Sequence, residues 1–120
     1  MTIMESELLK RLAAKGCKVE ERLEETYMGM EPLMERIVRK VPAMDGVDSM
    51  VRALEAGDAQ ALFQAAHALK GVYANAALAP LYERCCRIVE IVRPGSLDGV
   101  GPLLAELREL HAEFCVELLK

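Results

Sequence analysis

The chain has 120 residues, enough for one domain with its own core and too few for two. Hydrophobic residues make up 52% and aromatic ones only 4%, a balance suited to helices packed through Leu, Ile, Val, Ala and Met. A net charge of −4 argues against nucleic acid as the main ligand, because a phosphate backbone demands a basic footprint.

In chain order, Ile3, Leu8, Leu9 and Leu12 predict a first helix over residues 3–14, with Gly16 as its stop. Residues 19–28 read as a short second helix carrying Val19, Leu23 and Tyr27, broken by Gly29. Its Glu20, Glu21, Glu24 and Glu25 read as a solvated face. Pro32 suits the first turn of the next helix, where its missing N–H has no partner to lose. That helix uses Leu33, Met34, Ile37, Val38 and Val41, and Pro42 ends it. Asp45-Gly46 marks a turn, and Val47, Met50, Val51 and Leu54 form a helix up to Gly57. Two helices follow, over residues 58–76 and 78–92, the second closed by Pro94-Gly95. The last begins near Asp98 or Pro102 and runs to the end on Leu103, Leu104, Leu107, Leu110, Phe114 and Leu118.

No segment alternates with a period of two, so no strand is expected. Short connections between amphipathic helices favour antiparallel neighbours. The expected fold is all-α: an antiparallel up-and-down four-helix bundle with additional N-terminal helices covering one end. Residues 1–15 are expected to form an N-terminal helix and 16–120 the bundle, in a single compact domain. No apolar run approaches the roughly 18 residues of a membrane span. The opening Met1-Thr2-Ile3-Met4-Glu5 lacks the charged-then-apolar pattern of a signal peptide, so a soluble cytoplasmic protein is expected.

The helix over residues 58–76 carries the functional signal. Leu62, Ala65, Ala66, Leu69, Val72, Tyr73 and Ala76 recur at spacings of three and four, one buried stripe. Stepping about 100° per residue puts His67 roughly 140° from the centre of that stripe, on the outer face. Gln60, Phe63, Gln64, Lys70, Gly71 and Ala74 surround it there. An exposed helix face normally carries Lys and Glu, whereas this one is small, amide or aromatic with a single cation.

Each of these residue types has a chemical use. Gly71 costs roughly 0.5–1 kcal/mol relative to Ala inside a helix, and its return is access to the neighbouring ring. Lys70, three residues after His67, is near enough on the helix to neutralise an anionic group on the imidazole. Phe63, four residues before it, supplies an apolar anchor for a protein partner. Neutral imidazole is the nucleophilic form of histidine, and it is well populated near neutral pH. The pattern reads as a docking face around a histidine that accepts a phosphoryl group.

The run Ala66-His67-Ala68-Leu69-Lys70-Gly71, with Asn75 and Leu81 beyond it, resembles the histidine-containing phosphotransfer (HPt) family. Ala53-Leu54-Glu55-Ala56-Gly57-Asp58 resembles the link into the histidine helix of that family, and Pro80-Leu81-Tyr82-Glu83 and the long last helix fit as well. The resemblance extends over residues 16–119. Val72 and Tyr73 replace a pair of small residues, Ala76 stands where a bulky apolar residue is common, and Ala77 stands where the family usually has Gly.

The resemblance implies a phosphorelay intermediate with His67 as phosphoacceptor through Nε2, Lys70 stabilising the phosphoryl charge and Gly71 giving the partner access. Gln60, Phe63, Gln64, Ala74 and Asn75 would complete the docking surface. It implies histidine kinases and receiver domains of response regulators as partners, and a monomeric carrier without turnover of its own. No cofactor is expected on this chain, the magnesium ion being expected on the receiver.

Other groupings read more simply. Cys17, Cys85, Cys86 and Cys115 form no C-x-x-C pair and suit small buried hydrophobes. His111 lies four residues before Cys115, but a zinc site needs about two further ligands, so no metal is expected. Met28, Met30, Met34, Met44 and Met50 follow the apolar stripes as core filler. The competing function is a helical adaptor that binds signalling partners through the same face without being phosphorylated. A metal- or haem-binding bundle around His111 and Cys115 is a third.

Overall fold

The computed structural model describes residues 4–120. Every regular element there is helical: α1 (Glu7–Ala14), α2 (Val19–Glu25), α3 (Glu31–Arg39), a 3-10 turn (Val41–Ala43), α4 (Gly46–Glu55), α5 (Ala59–Asn75), α6 (Ala79–Val92) and α7 (Val100–Leu118). Side-chain caps set two of the starts. The Ser6 hydroxyl accepts the Leu9 N–H at 3.2 Å, and the Asp58 carboxylate accepts the Ala61 N–H at 3.0 Å. Pro32 and Pro80 sit in the first turns of α3 and α6, where no helical N–H is lost.

Three expected boundaries move for local reasons. Ile3 lies outside the described residues, and the helix starts at Glu7 because Ser6 takes the capping position. The second helix stops at Glu25, because Met28 (φ 51°) and Gly29 (φ 76°) both adopt left-handed backbone and turn the chain. Val41 leaves α3 and opens the 3-10 turn, yet its side chain remains buried.

Helix α5 packs between α4 and α6, while α7 closes the bundle against α6 and α4. The links at residues 56–58 and 76–78 are too short for anything but reversal of direction. The result is the expected antiparallel bundle, with α5 and α7 on its diagonal. Helices α1 to α3 cover the end where α5 and α7 finish and α6 begins. There Tyr27 donates its hydroxyl to the Asn75 carbonyl at 2.8 Å, and the Lys18 N–H bonds the Ala77 carbonyl at 3.1 Å. Arg11 pairs with Glu117, and Arg39 donates to the Leu118 and Lys120 carbonyls.

One hydrophobic cluster runs through all of this, from Leu8 to Leu118. Fully burying a Leu or Val side chain contributes about 1.5–3 kcal/mol, so this cluster carries most of the stability. Helix α4 approaches α5 closely at Gly46, where a Cβ would lie 2.9 Å from Cδ1 of Leu69. On the other side the Cys85 thiol donates to the Ala66 carbonyl at 3.2 Å, so two small residues bring α6 against α5. The histidine helix is thereby fixed on both flanks, with only its outer face open.

Candidate functional site

The buried stripe of α5 consists of Leu62, Ala66, Leu69 and Tyr73, with Ala65 and Val72 half-buried at its margins. His67 is exposed on the opposite side, as the angular count requires. Gln60, Gln64 and Gly71 are exposed around it, and Phe63, Lys70 and Ala74 are half-buried on the same face. Asn75 is exposed too, but it ends the helix two turns beyond His67, at the border with α2. Its backbone carbonyl is held by Tyr27, so this residue also anchors the N-terminal helices.

Phe63 lies along one side of the imidazole, with ring centroids 5.7 Å apart and planes inclined at 40°. No described residue hydrogen-bonds either ring nitrogen of His67. No described carboxylate pairs with Lys70, whose ammonium is left to act on whatever occupies the face. At Gly71 an added Cβ would meet nothing within 4 Å, so the glycine fills no packing need of the fold itself. Its backbone is helical and needs no left-handed conformation, which leaves access as its physical use.

One residue of this surface went unnoticed in the sequence. Arg93, just past the end of α6, places its guanidinium 5.5 Å from the centroid of the Phe63 ring. A signal for it existed: in an antiparallel hairpin, residues nearly equidistant from the connection face each other. Phe63 and Arg93 flank the 76–78 link at comparable distances.

The second histidine is built differently. The hydroxyl of the fully buried Tyr73 lies 2.7 Å from His111 Nδ1, and the two rings are tilted against each other. Burial pushes the imidazole below its ordinary value, partly offset by the Asp48 carboxylate. His111 thus has one ring nitrogen already engaged within the fold. Among the described residues no group of three or more His, Cys, Asp or Glu is arranged to hold a metal ion. Burial raises the thiols of Cys17 and Cys85 to about 12, which keeps them protonated and inert. Met34 and Met50 are fully buried as expected, but Met28, Met30 and Met44 are exposed, because they occupy the connections around α3 instead of its stripe.

The end of α5 explains one departure from the family pattern. Ala77, standing where glycine is usual, has φ 60°, the left-handed region that glycine enters without strain. The backbone takes here the left-handed geometry that a glycine would adopt without strain.

The antiparallel helical bundle thus turns a histidine to solvent from mid-helix, with open space and a cation beside it. The family model for the Hpt domain matches residues 41–115, from the turn before α4 to the last turns of α7. The chain belongs to the Hpt family. Its match starts later than the expected residue 16, so α1 to α3 lie outside it. Comparison with curated proteins and with solved structures finds no match. Hpt domains act in phosphotransfer in two-component signalling, as phosphocarriers that work with histidine kinases and receiver domains. Among the described residues, no helix is long and apolar enough to cross a membrane.

Proposed function

We propose that this protein is a phosphorelay intermediate that accepts a phosphoryl group on Nε2 of His67 and passes it to an aspartate of a receiver domain. The observation that carries this reading is the exposed imidazole flanked by Lys70, which no described carboxylate pairs, and by the open surface at Gly71. On loading, the Nε2 lone pair attacks phosphorus while the bond to the donor oxygen of an aspartyl phosphate breaks. The carboxylate leaves with the bonding electrons, and the ring proton on Nδ1 can pass to solvent. The reverse sequence unloads the carrier onto the next carboxylate.

Such a transfer runs through a loose transition state, so position and charge neutralisation matter more than covalent machinery. Lys70 stabilises the phosphoryl oxygens. Gly71, Gln60, Phe63, Gln64, Ala74 and Asn75 form the surface on which the receiver settles. The magnesium ion belongs to the receiver, and this chain contributes no cofactor. The protein works as a monomer in the cytoplasm, between a kinase or receiver upstream and a receiver downstream.

Intact-mass measurement after treatment with phosphoramidate tests the assignment, since this small donor needs no partner. One acid-labile phosphoryl group should appear on the wild-type protein and on His111→Gln, and not on His67→Gln. A receiver domain should then remove it. Lack of incorporation, or equal labelling of both histidines, would instead favour an unphosphorylated adaptor that uses the same face.

A further inference from the structure

Arg93 has an arrangement that the bundle does not require. Its side chain is 53% exposed, and its only described ion pair is a contact with Glu90 at 3.4 Å, one turn back on α6. Both members of that pair are largely in water, where such a contact contributes little. The guanidinium nevertheless lies against the Phe63 ring, whose other neighbour on this face is the His67 imidazole. Phe63 therefore neighbours both this exposed cation and the proposed phosphoacceptor. The separation between guanidinium and imidazole cannot exceed the two ring distances together, and an arginine side chain spans much of that by changing rotamers.

The two cations of the site approach from different directions. Lys70 lies one helical turn after His67 on α5 itself, and Arg93 comes from α6 beside the turn that precedes it. A phosphoryl group on the imidazole would bring up to two negative charges and three acceptor oxygens into the gap. A guanidinium can meet two of those oxygens with a planar pair of N–H donors, which an ammonium cannot do. Against that, Glu90 offers one largely solvated carboxylate at 3.4 Å.

We propose that Arg93 is a positioning residue for the phosphorylated state: held at the rim by Phe63, it turns onto the phosphoryl group once His67 is loaded. This rests on the reading of His67 as phosphoacceptor. The move has a second effect, because it uncovers the Phe63 ring. The loaded protein then presents an apolar patch where the unloaded one presents a cation, so a partner meets two different surfaces.

The test uses the full-length protein with phosphoramidate as donor and no partner present. Loss of the phosphoryl group at neutral pH is followed by intact mass for the wild type, Arg93→Gln, Arg93→Lys and Lys70→Gln. In parallel, the Arg93 side-chain Nε–Hε resonance is recorded before and after loading. Arg93→Gln should lose the group several-fold faster than the wild type, with Arg93→Lys between them. The Arg93 resonance should move on loading in the wild type and stay still in His67→Gln treated alike. A purely structural role for Arg93 would leave that resonance unmoved. Equal phosphoryl lifetimes in the wild type and Arg93→Gln, with an unmoved resonance, overturn the role given to Arg93 while leaving His67 as acceptor. A wild-type protein that takes up no phosphoryl group overturns both.

Discussion

The Tyr73 hydroxyl lies 2.7 Å from Nδ1 of His111, a hydrogen bond that joins α5 to α7 across the diagonal of the bundle. Burial holds the phenol well above its usual range, so the hydroxyl keeps its proton within this pair. Tyr73→Phe should destabilise the fold by about 1–2 kcal/mol, since it removes a hydrogen bond and orphans a half-buried nitrogen. Chemical denaturation would read this directly, and loading of His67 by phosphoramidate should be unchanged.

The same pair sets a pH dependence. The folded chain resists protonating His111, whose value is lowered by burial, while the unfolded chain protonates it near the ordinary 6.5. The unfolded state then binds more protons, so stability rises with pH across the interval between the two values. The contribution is complete above the unfolded value and is lost as the pH falls from there toward the folded one. Urea midpoints at neutral and mildly acidic pH should show this drop in the wild type and a smaller one in His111→Gln. Identical drops in both proteins would assign the acid sensitivity elsewhere.

Gly71→Glu separates stability from function. Nothing within 4 Å opposes a side chain there, and replacing glycine inside a helix gains roughly 0.5 kcal/mol or more. The variant should melt at or slightly above the wild-type temperature. Transfer to a receiver should nevertheless collapse, because bulk and a like charge now occupy the proposed docking face. Normal transfer kinetics in this variant would refute the surface drawn around His67.

Left-handed backbone at two non-glycine residues offers a contrast. Met28 has φ 51° and is 78% exposed, so its side chain gives little in return for a strain of about 1–2 kcal/mol. Met28→Asn should stabilise the protein by about 0.5–1 kcal/mol, because Asn tolerates this region. Ala77 is strained in the same way but buried, and its methyl contributes about 0.8 kcal/mol to the core. Ala77→Gly should therefore lie near neutrality in a thermal melt.

Thiol labelling should follow burial. Cys86 is only half-buried and should react first with a maleimide, followed by Cys115, whose thiol is raised by burial. Cys17 and Cys85, both buried and raised to about 12, should stay unlabelled until the chain unfolds. Peptide mapping of the partly labelled protein checks the order.

Much of this was legible in the chain because helices advertise themselves by period. The stripe Leu62, Ala66, Leu69 and Tyr73 located the core side of α5, and His67 followed on the other side by angle alone. Termini were less legible, since Ser6 and the Met28-Gly29 turn act through local backbone geometry that apolar periodicity does not encode. The Tyr73–His111 bond was hidden for a different reason. It joins residues 38 apart in sequence, on helices that are not neighbours along the chain. Arg93 is legible only through the pairing of α5 with α6 about their short link, because its partner is a ring on another helix.

Helix α5 keeps two separate ledgers along one rod. Leu62, Ala66, Leu69 and Tyr73 hold the bundle together, while Gln60, Gln64, Gly71 and Ala74 are not among its buried residues. A change on the outer side scarcely alters folding, and a change on the inner side scarcely alters what a visitor sees. Lineages of such a chain can therefore drift from one signalling circuit to another by surface substitutions alone. The His67 imidazole, the proposed phosphoacceptor, stays in place as the fixed point around which recognition is rewritten.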